Sequence, residues 1–516
     1  MIGKRPLSKA FPGGGADRLL LAACMLLLAI LLLPLRGAKT DDTYIHMQYA
    51  RNLSERGELS FNAGERAYGA TSPLWVLLLA AARALGGDLA SWSGILSRFF
   101  AFASVLLVFR LALFVDGRRA TAFAAGILMA SEAWLVRWSS VGMETSLAVF
   151  MVAAALLTSM KAGSSPARSA LFGLVLFLAC LARPETLLLA ALGLFCFLAA
   201  GGGMPFGRRF GWLVVFAPLF AAWLFLMKSY TGTFFPLTAG AKQGEIAFSG
   251  ALFSRALVPA RILGATVALP MLAFIASLAG GLARRAGIPG APAPEARPGI
   301  LLGKLWIFAL PAAYVIMDFQ VLSRYMLPVS PAVIVFGAAG AARLADKFSV
   351  RRNAATAAVI ILAAAGAVQN IVFYSTVVVR PTMEFSEGLE TVVAGMGRWL
   401  AKNSEPGAVV AAPDIGAVGY FSRRRILDLG GLVSPRINEM RSSMDADEII
   451  TEGLYLELGA DYLMDRSSPP ARFDGRVLKG VRFTRVLSGT VSNLGIRKRE
   501  PVLYVLYRLS REEGGR

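Results

Sequence analysis

The stretch LLLAACMLLLAILLLPL at residues 19–35, followed by TDDTYIH at residues 40–46, decides the fold. As a helix, the first part is long enough to cross the hydrocarbon of a bilayer. Basic residues precede it, as in a signal peptide, but no small-residue cleavage site follows cleanly, so we expect an uncleaved anchor. Two adjacent carboxylates at a membrane surface are costly to desolvate, and this pair is therefore a functional-site hypothesis.

Apolar runs of similar length recur along the chain. Of its 516 residues 56% are apolar and only 17% are charged, and the mean hydropathy is +0.59. These values predict a polytopic α-helical membrane protein, because the runs do not alternate as the strands of a barrel would. We expect about eleven transmembrane helices, at residues 19–35, 93–115, 120–136, 145–160, 168–182, 184–200, 211–228, 256–282, 305–319, 325–342 and 354–374.

The net charge of +20 does not indicate nucleic-acid binding. Residues 380–516 hold 20 basic and 18 acidic residues and are nearly neutral. The excess of basic residues falls mainly in alternate loops of the membrane part, for example at Arg118–Arg119 and Arg208–Arg209. By the positive-inside rule this pattern predicts a cytoplasmic N-terminus and an extracytoplasmic C-terminal segment.

The segment TSPLWVLLLAAARALG, residues 71–86, is the exception among the apolar runs. If it crossed the membrane, every later basic loop would move outside. It is also short and carries Arg83, so we expect an interfacial helix on the outer leaflet. Residues 37–90 then form one large extracytoplasmic loop, in which the helix that follows the carboxylate pair ends at Gly57.

The composition changes near residue 380. Helical periodicity at residues 384–402 and 445–457 alternates with short β-rich runs, which lie at residues 408–413, 425–429, 461–465 and 502–509. We therefore divide the chain into a transmembrane domain, residues 1–379, and a small extracytoplasmic α/β domain, residues 380–516.

Asp41 and Asp42 are the first candidates for chemistry. Neighbours on a helix point about 100° apart, so the two carboxylates are not expected to share one proton. One of them is suited to act as a general base for an attacking hydroxyl. The alternative for Asp42 is an N-cap of the following helix. His46, the only histidine, fits a base, a metal ligand or a hydrogen-bonding wall residue, although one histidine cannot form a histidine-rich zinc site.

A second set of candidates lies at the outer ends of the predicted spans. These positions have no topogenic role, and arginine forks and tyrosine hydroxyls suit a phosphate group, so the set suggests an anion site at the membrane surface. The alternative is snorkelling at helix ends. The set consists of Arg137, Glu144, Arg183, Glu185, Lys242, Arg324 and Tyr325.

The stretch GAVGYFSRRRILDLGGLVSP, residues 416–435, is rich in glycine and lacks the spacing of a phosphate-binding loop. We interpret it as a recognition or docking segment.

Taken together, DDTYIHMQYARNLSERGELSFNAGERAYGATSPLW, SSVGMETSL, LARPE, RYMLP and PDIGAVGYFSRRRILDLGGL resemble the GT-C glycosyltransferases, integral membrane enzymes that use polyprenyl-phosphate sugars. Among these, the chain is most similar to the actinobacterial terminal arabinofuranosyltransferases. The stretch at residues 41–75 carries the most specific part of the resemblance, and we take Trp75 at its end as a candidate substrate contact.

The resemblance implies roles for particular residues. An acidic residue in the first external loop activates the acceptor hydroxyl in this family; that role falls on Asp41 or Asp42, and we favour Asp41. Basic and tyrosine residues near later span ends hold the donor phosphate, and Arg183, Arg324 and Tyr325 match such positions. Some relatives bind a divalent cation near the acidic loop, but this loop offers no further acidic ligands, so a metal is left open.

The expected function is transfer of a sugar, arabinofuranose by resemblance, from a polyprenyl phosphate to a glycan, lipid or protein acceptor. The site would face the exterior of a bacterial cytoplasmic membrane. The rival hypothesis is a transporter or flippase of polyprenyl-linked glycans, which would place charges in mid-span and repeat one half of the chain in the other. A non-catalytic scaffold is a third alternative, which leaves the carboxylate pair unexplained.

Overall fold

The computed structural model describes residues 14–200, 204–236, 252–287, 297–348, 353–441, 443–496 and 500–512. In these ranges the regular structure of the membrane part is all helix, and helices alternate with loops. Its first nine helices are α1 (Gly15–Leu31), α2 (Asp41–Arg56), α3 (Pro73–Ala84), α4 (Leu89–Asp116), α5 (Arg119–Ser131), α6 (Ala133–Ser140), α7 (Thr145–Ser159), α8 (Pro166–Ala182) and α9 (Leu187–Ala200). Further helices of this part span Phe206–Phe210, Leu213–Thr231, Leu252–Gly287, Pro298–Ile316, Ser323–Met326, Ser330–Phe348 and Ala354–Phe373.

A helix lies at each of the eleven predicted spans, because apolar runs bounded by glycine, proline and charged residues are a local signal. Within the described ranges, six helices are long and apolar enough to cross a membrane: Leu89–Asp116, Phe206–Thr231, Leu252–Ala279, Pro298–Ile316, Ser323–Phe348 and Ala354–Asn403. The other five predicted spans coincide with shorter apolar helices. The number of crossings and the cytoplasmic N-terminus stay predictions.

Helix α2 begins two residues earlier than an N-cap at Asp42 would require. Thr40 occupies the N-cap position, so Asp41 and Asp42 are the first two helical residues and the capping alternative for Asp42 is wrong. Two carboxylates in the first turn suit the partial positive charge of a helix N-terminus. At the other end Gly57 adopts the left-handed conformation, with φ of 70°, and ends the helix as predicted.

The segment at 71–86 forms helix α3, which starts with a proline at its first turn. Trp75, Val76 and Leu79 are fully buried and belong to the hydrophobic core that α2 also enters. The exposed side of α3 carries Leu77, which is 43% exposed. A short helix with one buried and one exposed apolar side is compatible with the predicted interfacial position.

The predicted helices at 354–374 and 384–402 are parts of one helix of 50 residues, Ala354–Asn403. Two π-helical turns, Tyr374–Val378 and Leu389–Val393, interrupt its regular geometry. The first of them widens the turn that a proline at residue 381 would otherwise crowd, so the helix continues through that proline. The expected domain boundary at residue 379 falls inside this helix.

In its described residues, the C-terminal part contains a mixed sheet of six strands in the order β2-β1-β3-β6-β5-β4. The pairs β1–β2 and β1–β3 are parallel, and the other pairs are antiparallel. The four predicted β-rich runs coincide with β1, β2, β3 and β6, whereas β4 and β5 lacked a continuous apolar pattern and were not predicted. The strands are β1 (Val409–Ala412), β2 (Arg425–Asp428), β3 (Tyr462–Ser467), β4 (Val477–Leu478), β5 (Val481–Val491) and β6 (Val502–Arg511). Short helices of this part span Gly416–Ser422, Pro435–Met440, Ala446–Thr451 and Leu454–Glu457.

The two faces of the sheet pack into different cores, because neighbouring strand residues point to opposite sides. Ala411, Leu463 and Tyr507 face the short helices of the C-terminal part. The opposite face belongs to the core that contains Tyr44, Met47, Trp75 and other residues of the first loop. The membrane part and the sheet therefore share a hydrophobic core through residues 41–80. On this second face the sheet contributes Val410, Ala412, Ile426, Met464, Tyr504 and Leu506.

Candidate active site

A cavity of about 530 Å³ lies between the first loop, the ends of several membrane helices and the C-terminal sheet part. Helix α2 presents Asp42, Ile45 and His46 to it, which are three positions of one helical face. The rest of the wall comes from residues 69–71, 143–144, 183–191, 310–325 and 432–433, together with Pro236.

The helical geometry of α2 sends its two carboxylates to different places, as the sequence predicted. Asp42 lies in the cavity wall, where its carboxylate pairs with the guanidinium of Arg324. The carboxylate of Asp41 lies against the C-terminal part and accepts hydrogen bonds from the backbone N–H groups of Gly416 and Ala417, both at 2.8 Å. Of the two, Asp42 is the carboxylate that faces the cavity, so the geometry favours it over Asp41 as a base.

Burial raises the pKa of Asp41 to about 7, with the nearby charge of Asp414 as the second cause. The two hydrogen bonds from the N–H groups act in the opposite direction. The carboxylate of Asp41 is thus held by contacts that favour its charged form in surroundings that oppose it.

His46 lies one helical turn beyond Asp42 and is only 5% exposed. Its Nε2 is 3.2 Å from Oε2 of Glu144. Its Nδ1 has no hydrogen-bond partner among the described residues, although the side chain borders the cavity. A buried ring nitrogen without a partner costs free energy unless a ligand supplies one, which makes His46 a candidate contact for a substrate.

Glu144 links His46 to a second arginine. Arg183 Nη1 donates to Glu144 Oε1 at 2.7 Å, and Arg183 Nε donates to Glu185. Burial by itself would raise the pKa of Glu144, but the neighbouring His46 and Arg183 outweigh burial and hold that pKa well below its usual range. Glu144 is therefore a fixed negative charge behind the imidazole.

Arg324 and Tyr325 lie together on the short helix Ser323–Met326. Arg324 Nη2 donates to the Tyr325 hydroxyl at 3.2 Å, and its Nε has no hydrogen-bond partner in the part of the chain that the structure describes. The Tyr325 ring stacks on the Tyr314 ring, with 5.7 Å between their centroids. The guanidinium carbon of Arg183 also lies over the Tyr325 ring, 4.8 Å from its centroid. Two guanidinium groups and two phenols thus surround one end of the cavity.

The cavity also has apolar lining residues. They are Leu187, Leu188 and Ala191 of α9 and Leu310 and Ala313 of the helix Pro298–Ile316. A molecule with a charged head and a hydrocarbon tail would satisfy both kinds of lining, because a charged group needs partners and a hydrocarbon does not.

Apart from Asp41, which lies against Gly416 and Ala417, the predicted site residues divide into three groups. The cavity brings together Asp42, His46, Glu144, Arg183, Glu185, Arg324 and Tyr325. Trp75 and Arg137 are buried elsewhere: Trp75 packs edge-on against Phe100, and Arg137 lies over the Trp138 ring. Lys242 lies outside the described residues.

Sequence reasoning missed several residues of the wall. Tyr314 lies inside a run that was taken for a membrane span, and a hydroxyl in such a run is the one signal that could have identified it. Leu432 and Val433 come from the stretch interpreted as a docking segment, but nothing in their own chemistry indicates a cavity wall.

The acidic and histidine side chains at the cavity are the possible ligands for a metal ion. Among the described residues no group of three His, Cys, Asp or Glu side chains lies close enough to hold a metal ion. The acidic residues of the cavity wall already have arginine partners: Asp42 pairs with Arg324, and Glu144 and Glu185 pair with Arg183. These residues do not fit a cation site.

Comparisons with solved structures identify the fold. ArnT from Cupriavidus metallidurans bound to undecaprenyl phosphate aligns with a TM-score of 0.54 and 14% identity, over 96% of this chain and 98% of that chain. The Archaeoglobus fulgidus oligosaccharyltransferase tethered with an acceptor peptide aligns with a TM-score of 0.56 and 12% identity, over 86% of this chain and 69% of that chain.

The arabinofuranosyltransferase AftD from Mycobacteria aligns with a TM-score of 0.52 and 15% identity, over 94% of this chain and 41% of that chain. These are GT-C glycosyltransferases, so the chain has the GT-C fold that its motifs predicted and is a polytopic helical membrane protein. A domain of unknown function, DUF8728, matches residues 383–504. No protein with a curated description matches the chain.

Proposed function

We propose that the protein is a membrane glycosyltransferase that moves a sugar from a polyprenyl phosphate to an acceptor hydroxyl at the cavity beside α2. One observation carries the proposal. Within a GT-C fold, a carboxylate and two arginines line a cavity that is also lined by apolar side chains of two helices. A polyprenyl phosphate has a matching charged head and hydrocarbon tail.

The proposed reaction assigns one role to each group. The acceptor hydroxyl attacks the anomeric carbon while its proton passes to the Asp42 carboxylate. The bond between the anomeric carbon and the phosphate oxygen breaks, and polyprenyl phosphate leaves. Arg324 and Arg183, with Tyr325, stabilise the negative charge that the leaving phosphate gains.

The pairing of Asp42 with Arg324 suggests how the base is activated. A carboxylate beside a guanidinium is a weak base, because the ion pair stabilises its charged form. An arginine fork also binds phosphate oxygens, so the incoming donor would compete with Asp42 for Arg324. Donor binding would then release the carboxylate as the acceptor arrives, and no proton would be taken before the donor is in place.

The finer assignments rest on resemblance and on the relatives. The motif resemblance and AftD support arabinofuranose as the first sugar to test. ArnT with undecaprenyl phosphate supports the lipid donor, and the oligosaccharyltransferase with its acceptor peptide makes a protein acceptor worth testing beside envelope glycans and lipids. We place the enzyme in the bacterial cytoplasmic membrane with the cavity facing outward.

The test is transfer by the purified chain in proteoliposomes that contain polyprenyl-phosphate sugars. Asp42→Asn should lower the rate by about 100-fold or more, since loss of a general base costs about 10²–10⁴-fold. Glu405→Gln, at an exposed carboxylate outside the cavity, is the control and should keep the full rate. Full activity in Asp42→Asn would refute this assignment. Movement of the lipid-linked sugar across the bilayer without a new glycoside would support the transporter hypothesis instead.

A further inference from the structure

The first loop and the C-terminal part contact each other at several places. Asn62 exchanges two hydrogen bonds with the backbone of Ile426 on strand β2, at 2.8 and 2.9 Å. Arg51 donates to the carbonyl oxygen of Tyr420 at 2.8 Å. With the shared hydrophobic core, these contacts make the C-terminal part a fixed neighbour of α2.

Asp41, the neighbour of Asp42 in sequence, also contacts the C-terminal part. Its two carboxylate oxygens accept from consecutive N–H groups, of Gly416 and Ala417, so both rotation and tilt of the side chain are set. A Cβ atom on Gly416 would lie 2.0 Å from the Asp41 carbonyl oxygen. Only glycine allows this approach, and the backbone of α2 at Asp41 therefore lies directly on the C-terminal part.

The contacts that hold Asp41 in place also help to hold the side chain of Asp42 in place. The two residues are consecutive in the first turn of α2, so the anchoring of one backbone position helps to set the orientation of the next. If the turn rotates, the carboxylate of Asp42 leaves the cavity wall. A displacement of about 1 Å at a reacting group can cost about 100-fold in rate.

A second segment of the same part reaches the cavity. Asp428 accepts hydrogen bonds from the N–H groups of Leu432 and Val433, at 2.5 and 2.9 Å, and this folds the loop so that both residues border the cavity. Gly69 accommodates the loop, because a Cβ atom there would lie 2.5 Å from the carbonyl oxygen of Leu432. The C-terminal part thus contacts both Asp41, the neighbour of the base, and the cavity wall.

We propose that the C-terminal domain, which matches a domain of unknown function, is a positioning module for catalysis, and that Asp41 is the positioning residue through which it orients Asp42. The proposal rests on the proposed function of Asp42. Asp41 acts only as a hydrogen-bond acceptor, whereas Asp42 accepts a proton.

That difference in role defines the test. Asparagine keeps one acceptor oxygen but is not a base, so Asp41→Asn should retain more activity than Asp41→Ala. Asp42→Asn and Asp42→Ala should be equally inactive. In the proteoliposome assay, Asp41→Ala should lower kcat by about 10- to 100-fold with little change in the KM for the donor.

Gly416→Ala tests the docking without touching either carboxylate. It should lower kcat to the same extent as Asp41→Ala. The matched control is Gly407→Ala, since a Cβ there meets no atom within 4 Å, and it should keep the full rate. Thermal unfolding and binding of radiolabelled polyprenyl phosphate, measured on each variant, identify any protein that fails to fold.

The outcomes separate the two proposals. If Asp41→Asn is as inactive as Asp42→Asn while folded Gly416→Ala is fully active, the positioning role is wrong and Asp41 is itself the base. If Asp42→Asn is fully active, the proposed function of Asp42 fails. If the Asp41→Ala and Gly416→Ala variants keep the kcat of the wild type while Asp42→Asn is inactive, the proposed function stands and the positioning proposal is overturned.

Discussion

The cavity and the outer face of the C-terminal sheet use the same kind of ion pair in different ways. On the sheet, Asp465 is fully buried and accepts from Arg472 Nη2 at 2.9 Å and from Nε at 3.2 Å, and neither side chain leaves a buried polar atom unpartnered. At the cavity, His46 Nδ1 and Arg324 Nε have no partner among the described residues. We call the first pair closed, because its buried polar atoms all have partners, and the second open, because a buried polar atom lacks one among the described residues. A closed pair belongs to the fold, whereas an open pair can bind a ligand.

The largest effect that this comparison predicts is at the open pair. Arg324→Ala should lower the rate of sugar transfer by about 100- to 1000-fold, because it removes charge stabilisation from the leaving phosphate. Arg324→Lys keeps the positive charge but loses the guanidinium fork, so its transfer rate should lie between those of the wild type and Arg324→Ala. Initial rates in proteoliposomes measure this. An active Arg324→Ala would show that the open pair has no part in transfer.

The closed pair should respond in the opposite way. Arg472→Ala leaves a buried, unpaired carboxylate at Asp465 and should lower the free energy of unfolding by about 3 kcal/mol. The transfer rate per folded molecule should stay close to that of the wild type. Chemical unfolding in detergent gives the first quantity and the proteoliposome assay the second. A fall in the rate without loss of stability would contradict the distinction between the pairs.

A smaller effect is expected at the imidazole. His46→Gln should lower kcat/KM by about 10-fold, the value of one hydrogen bond to a ligand. The free energy of unfolding should be nearly unchanged, since the glutamine amide can donate to Glu144 in place of Nε2, and Nδ1 has no partner to lose among the described residues. Transfer rates over a range of donor concentrations test this, and loss of stability without loss of kcat/KM would assign His46 to the fold alone.

The last effect is on the pH dependence of stability, and it is the smallest when it is counted per pH unit. Because the pKa of Asp41 is raised from 3.8 to about 7 in the folded chain, the folded state binds more protons than the unfolded state between these values. Stability is therefore highest at low pH and falls as the pH rises through 7, by at most about 1.4 kcal/mol per pH unit. Asp41→Asn should flatten this slope in thermal unfolding between pH 5 and 8. An unchanged slope would exclude Asp41 as its source.

The helices could be predicted from sequence because their signals are local. An apolar run between charged or glycine-rich segments specifies a membrane helix in nearly any context, and strands β1, β2, β3 and β6 have equally local apolar runs. Strand β5 could not be found in this way, since its exposed positions interrupt the pattern. The sequence divides the continuous helix Ala354–Asn403 into two segments because the composition changes near residue 380, and the π turns inside the helix carry no sequence signal.

The site shows the same division. That Asp41 and Asp42 diverge follows from the rotation of a helix by about 100° per residue. Which of them faces the cavity depends on Gly416 and Ala417, more than 370 positions away in sequence. Arg324 is 282 positions from Asp42, and no local pattern pairs them.

The sequence by itself determined that this is a helical membrane protein with a GT-C likeness and a carboxylate pair after its first apolar segment, because hydropathy and helical rotation act over a few residues. Only the tertiary structure decided that Asp42 meets Arg324 and that Asp41 meets the C-terminal domain. Those contacts join distant segments, and their geometry depends on how whole helices and a sheet pack together.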